Sequence, residues 1–296
     1  MIHSVLLMIV VGNDDFGERL AKAIDAKFVA FEQRTFPDGE VCPRIMGDID
    51  KDVILVNHMK LPLETNRYFM ETLLLVKTLQ EFGAEKIDVV MPYFVYARQN
   101  KVFRSGEPFS AKYVLETLHK AGAKRFFTVS SHAERDKDKL TSIISAFNVN
   151  GFISIGNYLK KKNFSNPIIV GPDEGAEHFA RTVSDIIGCE HTLLEKHRDL
   201  ATGEVTMSCS VDLKNKNVII IDDIVSSGST MMPAIELCKK NGTKDVFVYV
   251  VHLVSEKGIE KISPHVREFL ASDTIETPIS RISIVEQLAE KLKTLE

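Results

Sequence analysis

Short runs of β-branched and other apolar residues alternate along the chain with stretches of helical periodicity, and this alternation restricts the possible folds. Met8–Val11 predicts a strand, and Asp15–Ala26 predicts a helix with one apolar face. Val53–Val56, Glu64–Phe82 and Ile87–Met91 continue the order strand, helix, strand. Because this order joins parallel strands through helical crossovers, it predicts an α/β protein with mostly parallel sheets flanked by helices.

The same order recurs about half the chain later. Val218–Ile221 and Val246–Val251 predict two strands, and the helix between them ends at Gly242. A chain of 296 residues can form two domains at roughly 150 residues each. The recurrence favours two similar domains, although any doubly wound sheet produces some of this similarity by chance. The polar stretch Asn148–Gly151 marks the predicted boundary. The predicted domains are 1–148 and 149–296.

The composition argues against several classes of partner and compartment. With 37 basic and 41 acidic residues, the net charge of −4 argues against a dedicated nucleic-acid-binding protein. No apolar run approaches the roughly 18 residues that indicate a membrane span. The cysteines form no C-x-x-C pair, which predicts reduced thiols in a cytoplasmic protein. They are Cys42, Cys189, Cys209 and Cys238.

The segment from Val218 to Thr230 carries the clearest chemical signal. Four branched aliphatic residues predict a buried central strand, and Asp222 and Asp223 follow it. After Ile224 and Val225, five residues in a row are small: Ser226, Ser227, Gly228, Ser229 and Thr230. Such a loop lets backbone amides at a helix N-terminus close around an anion. Because two carboxylates would repel a phosphate directly, the pattern predicts a pentose 5-phosphate whose hydroxyls face the acids. The alternative is an Asp N-cap beside a Ser-rich turn.

A second candidate site is a cluster of cations that contains no acid. Arg98, Lys101 and Arg104 fall within seven residues, after a predicted strand that ends at Pro92. Arginine's planar guanidinium suits bidentate recognition of phosphate. A solvated basic loop is the alternative.

These motifs resemble those of a known family. The Asp222–Thr230 segment resembles the ribose-phosphate loop of phosphoribosyltransferase-fold proteins. Other segments resemble ribose-phosphate pyrophosphokinases, and they cover nearly the whole chain. They are Phe36-Pro37-Asp38-Gly39-Glu40, Pro92–Gln99, Glu107–Lys112, Asp173, Lys196-His197-Arg198 and Asp273-Thr274-Ile275. The resemblance implies two similar phosphoribosyltransferase-type domains, the first with the ATP-side motifs and the second with the ribose 5-phosphate loop.

The resemblance also implies roles for the residues that bind the substrates. Asp222 and Asp223 would hold the ribose 2- and 3-hydroxyls, and Ser226–Thr230 would hold the 5-phosphate. Residues implied to bind ATP are Phe36, Asp38, Glu40, Arg98, Gln99, Lys101 and Arg104. Many family members have an acid at the position of Ser226 and a glycine at that of Ser229.

Three further implications concern assembly, metal and catalysis. The loop with Phe36 would reach the ATP of a neighbouring subunit, which implies a homo-oligomer, at least a dimer. His132 and Asp173 would bind Mg²⁺, although Ser130 stands where the family usually has Asp. Lys196 and Arg198 would lie on a catalytic loop that stabilises charge during transfer. For each motif taken alone, an ordinary turn, a structural histidine or an exposed hairpin is the alternative.

The implied activity is transfer of the pyrophosphoryl group of Mg-ATP to the C1 hydroxyl of ribose 5-phosphate. The products are AMP and 5-phosphoribosyl 1-pyrophosphate. No G-x-x-x-x-G-K-[ST] loop occurs, so the mechanism is not of the Walker type. One alternative is a base-transferring phosphoribosyltransferase, which the extra N-terminal half argues against. The other is a non-catalytic homologue that binds nucleotide or sugar phosphate and regulates a partner.

Overall fold

A computed structural model of the chain describes residues 8–131, 143–198 and 205–295, with backbone only at 196–198 and 205–206. Its α-helices are α1 (Asp15–Ala23), α2 (Thr65–Glu81), α3 (Ser110–Ala121), α4 (Phe152–Lys162), α5 (Glu177–Ile187), α6 (Met231–Lys240), α7 (Glu256–Ile262) and α8 (Val285–Lys293). Short 3₁₀ turns lie at Glu174–Ala176 and Ser263–His265.

The strands alternate with these helices as the sequence predicts. They are β1 (Ile9–Gly12), β2 (Lys27–Glu32), β3 (Arg44–Ile45), β4 (Asp52–Val56), β5 (Met59–Lys60), β6 (Lys86–Val90), β7 (Arg125–Val129), β8 (Ser145–Val149), β9 (Pro167–Gly171), β10 (Glu190–Leu193), β11 (Glu195–Arg198), β12 (Val205–Ser208), β13 (Asn217–Val225), β14 (Asp245–Leu253), β15 (Glu268–Ser272), β16 (Ile275–Glu276) and β17 (Ser280–Ile282).

The chain divides into two compact units. The first comprises Met1–Met59, Glu64–Val149 and Val285–Glu296, and the second comprises Lys60–Leu63 and Asn150–Ile284. Helix α8 belongs to the first unit because it packs on α1 and β8. There Arg125 donates one hydrogen bond to the carbonyl of Leu295 (2.8 Å) and another to Asp88 (2.9 Å). The predicted domain ranges, 1–148 and 149–296, stay a prediction.

The two units share one sheet topology. The first sheet has the order β3-β2-β1-β4-β6-β7-β8, and the second has β10-β9-β13-β14-β15-β17. Apart from the short β3, which is antiparallel, each sheet has six parallel strands. If these six are numbered along the chain, both sheets read 2-1-3-4-5-6 in space. This agreement confirms the predicted α/β class with two similar units.

Strand β13 is longer than the sequence pattern predicts. The apolar run predicts a strand over Val218–Ile221, but β13 continues to Val225 because it stays paired with β14 through Val225↔Leu253. Its pairing with β9 ends earlier, at Ile220↔Val170. Asp222 and Asp223 therefore lie inside the strand and not after it, on a part that projects beyond β9.

The apolar core of the second unit lies between its sheet and α6. Fully buried residues on β13 and β14, such as Val218, Ile220 and Val248, pack against Ala234 and Ile235 of α6. Within the described residues, no helix has the length and apolar character needed to cross a membrane. All four cysteines are free thiols.

Candidate functional site

The second unit has a switch point in its sheet between β9 and β13. From β9 the chain moves outward to β10 and then returns to the other side of β9 to form β13. In open α/β sheets, ligands bind beyond the carboxyl ends of the strands at such a point. Asp173 follows β9 there and caps the turn at Glu174–Ala176, where its Oδ1 accepts a hydrogen bond from the amide of Gly175 (3.0 Å).

The carboxylate pair of β13 lies at the same end of the sheet, the carboxyl end of its strands. Asp223 is only 8% exposed, and its amide donates a hydrogen bond to Oδ1 of Asp222 (3.0 Å). Burial raises the pKa of Asp222 well above its ordinary value, and the charges of Asp223 and Asp173 add to this shift. Asp173 lies two residues beyond the end of β9, which is parallel and adjacent to β13, so it follows the sheet on the same side as Asp222. The structure therefore brings together three acids that the sequence analysis placed in two separate motifs.

The small-residue loop leads from β13 into α6. Gly228 has a left-handed backbone with φ of 73°, and the carbonyl of Gly228 accepts the amide of Met232 (3.0 Å) as α6 begins. Thr230, at the N-cap position, makes no capping hydrogen bond with its side chain. The Ser227 hydroxyl instead donates to that of Ser229 (3.3 Å). Because the Met232 amide is already bonded and Pro233 has none, an anion here would rely on the helix dipole and on the amides and hydroxyls of the loop before Met232.

Helix α7 supports this loop, and the sequence analysis did not identify it. A Cβ atom on Gly258 of α7 would lie 2.6 Å from the carbonyl oxygen of Ser226. A Cβ on Gly228 would lie 3.3 Å from Ile262 of the same helix. Gly258 thus allows the helix to lie directly against the loop. Gly258 itself could have indicated this contact. Glycine inside a helix costs stability, so its presence there suggests that another part of the chain packs closely against it.

The first unit has a switch point at the corresponding place, between β1 and β4. Asp14, just beyond β1, caps α1 by accepting hydrogen bonds from the amides of Phe16 and Gly17. His58, just beyond β4, is 4% exposed, and its Nδ1 lies within hydrogen-bond distance of Oδ2 of Asp14. Burial alone would raise the pKa of Asp14, but the hydrogen bond and charge of His58 and the two backbone amides hold it below its ordinary value. Sequence analysis did not predict this pair.

The two switch points therefore differ in charge. By strand register, Asn57 and His58 occupy the places that Asp222 and Asp223 occupy in the second unit. Where the second unit gathers three carboxylates, the first pairs one carboxylate with a histidine. Among the described residues, only the second unit's switch point has a carboxylate pair followed by a loop of small residues.

Phe36 lies on an exposed hairpin in the first unit. The amide of Phe36 donates to the carbonyl of Glu40 (2.7 Å), and Gly39 forms the turn with φ of 93°. Asp38 accepts the amide of Glu40 (3.2 Å), so the loop is internally ordered. The Phe36 ring is 41% exposed and lies under the Arg34 guanidinium at 4.8 Å. An exposed ring on an ordered loop can stack on a flat ligand.

The base of this hairpin is anchored by a buried acid. Glu71 of α2 is fully buried and accepts hydrogen bonds from Gln33 (2.7 Å) and Arg67 (2.9 Å). Gln33 directly precedes the hairpin.

The cationic cluster follows β6 in the first unit. Arg98, Lys101 and Arg104 are exposed, and none of them makes an ion pair with a carboxylate in the part of the chain that the structure describes. Glu107 orders the segment by accepting hydrogen bonds from the Gln99 side chain (3.3 Å) and the Arg104 amide (3.0 Å). The cations are thus held on a defined loop with their charges uncompensated, which suits an anionic ligand.

Several predicted residues cannot be placed. His132 lies outside the described residues, as do the side chains of Lys196 and Arg198, whose backbone belongs to β11. Ser130 is described: it is buried at the end of β7 with a left-handed φ of 38°. Within the described ranges, no three His, Cys, Asp or Glu side chains form a ready-made metal site.

Two units of one topology, with a carboxylate pair and a small-residue loop before a helix in the second, define the class: a two-domain protein of phosphoribosyltransferase type. Residues 5–122 match the family model for the N-terminal domain of ribose phosphate pyrophosphokinase, and residues 144–281 match the phosphoribosyl transferase domain. The chain therefore belongs to the ribose-phosphate pyrophosphokinase family.

Full-length relatives agree with this assignment. The chain is 36% identical to a ribose-phosphate pyrophosphokinase of Thermococcus kodakarensis, over 94% of this chain and 96% of the relative. It is 33% identical to that of Sulfolobus acidocaldarius, over 96% of this chain and all of the relative. The crystal structure of phosphoribosylpyrophosphate synthetase from Mycobacterium smegmatis matches the fold with a TM-score of 0.82 at 24% identity, over 98% of both chains.

Proposed function

We propose that this chain is a ribose-phosphate diphosphokinase. It transfers the pyrophosphoryl group of Mg-ATP to the C1 hydroxyl of ribose 5-phosphate and releases AMP and 5-phosphoribosyl 1-pyrophosphate. The observation that carries the proposal is the carboxylate pair near the end of β13, followed after Ile224 and Val225 by a small-residue loop that leads into α6. Family membership over both units supports the same activity.

The second unit binds the sugar phosphate in this proposal. Asp222 and Asp223 accept hydrogen bonds from the two vicinal ribose hydroxyls, and Ser226–Thr230 surround the 5-phosphate with backbone amides and hydroxyls. Because the acids face hydroxyls and the amides face phosphate, each end of the ligand meets groups of complementary charge.

The first unit provides residues for ATP. Arg98, Gln99, Lys101 and Arg104 bind the polyphosphate chain, which the uncompensated charge of their loop supports. Phe36 stacks on the adenine, with Asp38 and Glu40 beside its amino group. This hairpin acts on the nucleotide of a neighbouring subunit, so the active protein is a homo-oligomer, at least a dimer.

Magnesium is the proposed cofactor, and the acids of the second unit fit it. Burial and two neighbouring carboxylates oppose the negative charge of Asp222, and a divalent cation bound at Asp173 would reduce that repulsion. Asp173 and His132 are the proposed ligands, and phosphate oxygens and water would complete the sparse site. When bound, Mg²⁺ withdraws charge from the phosphoryl oxygens that react.

The chain's own residues position the reactants and stabilise charge. The sugar site holds the C1 hydroxyl for in-line attack on the β-phosphorus. The bond between the C1 oxygen and the β-phosphorus forms, the bond between the α-phosphate oxygen and the β-phosphorus breaks, AMP leaves, and the proton of the C1 hydroxyl passes to water. Lys196 and Arg198 neutralise the negative charge that develops on the transferred group, which is the usual contribution of a protein to such reactions.

One incubation tests the activity against both alternatives. Mixed with Mg-ATP and ribose 5-phosphate, the protein should release AMP and 5-phosphoribosyl 1-pyrophosphate in equal amounts. A base-transferring enzyme would release no AMP and would instead consume the diphosphate when a nucleobase is added. A non-catalytic homologue would bind a substrate without turnover. Release of ADP, or of no product, rejects the proposal.

We also propose a cytoplasmic location. The four cysteines are free thiols, and this supports the proposal because secreted proteins commonly pair their cysteines in disulfides.

A further inference from the structure

The proposed sugar-phosphate site has an unbalanced charge. Three carboxylates, those of Asp173, Asp222 and Asp223, lie at the carboxyl ends of the adjacent strands β9 and β13. The segment from Asp222 to Met231 contains no lysine, arginine or histidine. A phosphate dianion bound by this loop would therefore rely on backbone amides and hydroxyls while lying near several negative charges. A cation from another element would remove this imbalance.

Helix α7 places such a cation beside the loop. Lys261 lies next to Ile262, the residue that packs under Gly228. Its Cδ is 3.7 Å from the position that a Cβ on Gly228 would take, so the aliphatic part of the side chain lies against the loop backbone. Lys261 is exposed and makes no ion pair within the described ranges of the chain. Its ammonium nitrogen is two bonds beyond Cδ, which gives it the reach to contact an anion above Gly228.

We propose that Lys261 binds the 5-phosphate of the sugar and provides the cation that the loop lacks. This inference rests on the proposed function, because it takes the loop at Ser226–Thr230 as the phosphate site. Lysine suits the task as a flexible point charge, and a bound phosphate would keep its side chain in place. Lys261 would thereby distinguish phosphorylated sugars from free ones.

The chain offers a matched control on the same helix. Lys257 is exposed one turn before Lys261, and it too lacks an ion pair in the described part of the chain. A Cβ on Gly228 would have no atom of Lys257 among its nearest neighbours. Lys257→Met and Lys261→Met thus remove the same charge and the same chemical group from one helix, and only the second change removes the cation beside the loop.

The test measures ribose 5-phosphate binding by titration calorimetry and steady-state kinetics at low salt. Lys261→Met should raise the Kd and KM for ribose 5-phosphate about tenfold or more, as expected for loss of a charged hydrogen bond. The KM for ATP should stay within about twofold of wild type. Lys261→Arg should restore most of the affinity, and Lys257→Met should resemble wild type. Free ribose, used as a weak competitor, should bind equally to all four proteins.

A further variant separates failure of this inference from failure of the proposed function. Asp223→Asn removes an acceptor of the ribose hydroxyls. If Asp223→Asn weakens ribose 5-phosphate binding but Lys261→Met and Lys257→Met bind it equally well, the sugar site stands and the role of Lys261 is rejected. If Asp223→Asn binds ribose 5-phosphate as wild type does, the site itself is misplaced. Equal melting temperatures of the two lysine variants check that neither disturbs the fold.

Discussion

Asp222 lies in surroundings that oppose its negative charge, and the protein would be more stable without that charge. Burial, Asp223 and Asp173 all raise its pKa. Asp222→Asn keeps an oxygen that can accept the Asp223 amide and removes the repulsion. We expect a gain of about 1 kcal/mol, or about 2–4 °C in Tm at neutral pH, and at least a tenfold loss in kcat/KM for ribose 5-phosphate. Thermal unfolding and kinetics measure both, with the exposed Asp48→Asn as control.

The pH dependence of stability follows from the sign of the same shift. The unfolded chain ionises Asp222 near the ordinary aspartate pKa, and the folded chain ionises it only at higher pH. Between those two pH values the folded state holds the extra proton, so its stability falls as the pH rises. The stability of Asp222→Asn should fall less with rising pH over this range, as measured by unfolding curves at a series of pH values. Identical slopes for variant and wild type would contradict the assigned shift.

Lys196 gives a prediction about catalysis. If its charge stabilises the transferred group, Lys196→Ala should lower kcat by about 10²-fold or more and leave the Kd for ribose 5-phosphate nearly unchanged. Single-turnover measurements at saturating substrate check the chemical step. Near-normal turnover would remove Lys196 from the mechanism.

The site residues that the sequence analysis predicted lie close together in the chain, whereas those that it missed are brought together by the fold. Asp222 and Asp223 stand next to each other before a run of small residues, so a short window reveals them. The Asp14–His58 pair joins residues from two strands and becomes visible only through strand register. Lys261 matters because α7 folds back on the loop, and no spacing in the sequence records that contact.

Of the secondary-structure elements, α7 allows the most specific prediction, which concerns Gly258. A Cβ on Gly258 would lie 2.6 Å from the carbonyl oxygen of Ser226, so Gly258→Ala must move either the helix or the loop. We expect the KM for ribose 5-phosphate to rise severalfold and the Tm to fall, since overpacking costs about 1–3 kcal/mol. Steady-state kinetics and thermal unfolding give the two values.

Gly156→Ala is the matched control for this change. Gly156 also lies in a helix, α4, and its Cβ would meet Ile186 at 2.7 Å. It should destabilise the protein by a similar amount or less, because a side chain yields more easily than backbone, and it should leave the KM unchanged. A rise in KM in both variants would show a general loss of stability instead of a displaced loop.

The element boundaries show where sequence patterns are informative. Helix α2 was predicted over Glu64–Phe82 and spans Thr65–Glu81, since hydrophobic periodicity marks its length and Gly83 its end. Strand β13 was predicted to stop at Ile221 because the apolar residues stop there. It continues to Val225 because its backbone stays paired with β14, and this pairing does not require apolar side chains. Pairing partners, unlike periodicity, are not encoded locally.

For the whole molecule, the two units share one strand order but carry different residues at their switch points. Both sheets read 2-1-3-4-5-6, and each places polar residues at the switch point. In the second unit these are acids that repel one another, and such an arrangement favours a bound cation or hydroxyl ligand. In the first unit Asp14 is hydrogen-bonded to His58, so a carboxylate–histidine pair stands where the second unit has mutually repelling carboxylates. In the proposed function, the first unit contributes its hairpin and its cationic loop.

The hairpin leads to a prediction about the assembled protein. If Phe36 and Asp38 act on a neighbour's nucleotide, the double variant Phe36→Ala/Asp38→Asn has intact sugar sites but cannot complete its partner's ATP site. Asp222→Asn has the opposite defect. Each variant alone should have little activity, but a mixed oligomer combines an intact sugar site from one subunit with an intact hairpin from the other.

Equal amounts of the two variants, dissociated and reassembled together, should recover about a quarter of the wild-type rate, because random pairing makes about one site in four complete. AMP release measures the recovery, and mixing without subunit exchange is the control. If the hairpin served its own subunit, every subunit would carry one defect and mixing would restore nothing. Recovery therefore requires that the ATP site be shared between copies of the chain, and a molecular mass of one chain in solution would rule that out independently.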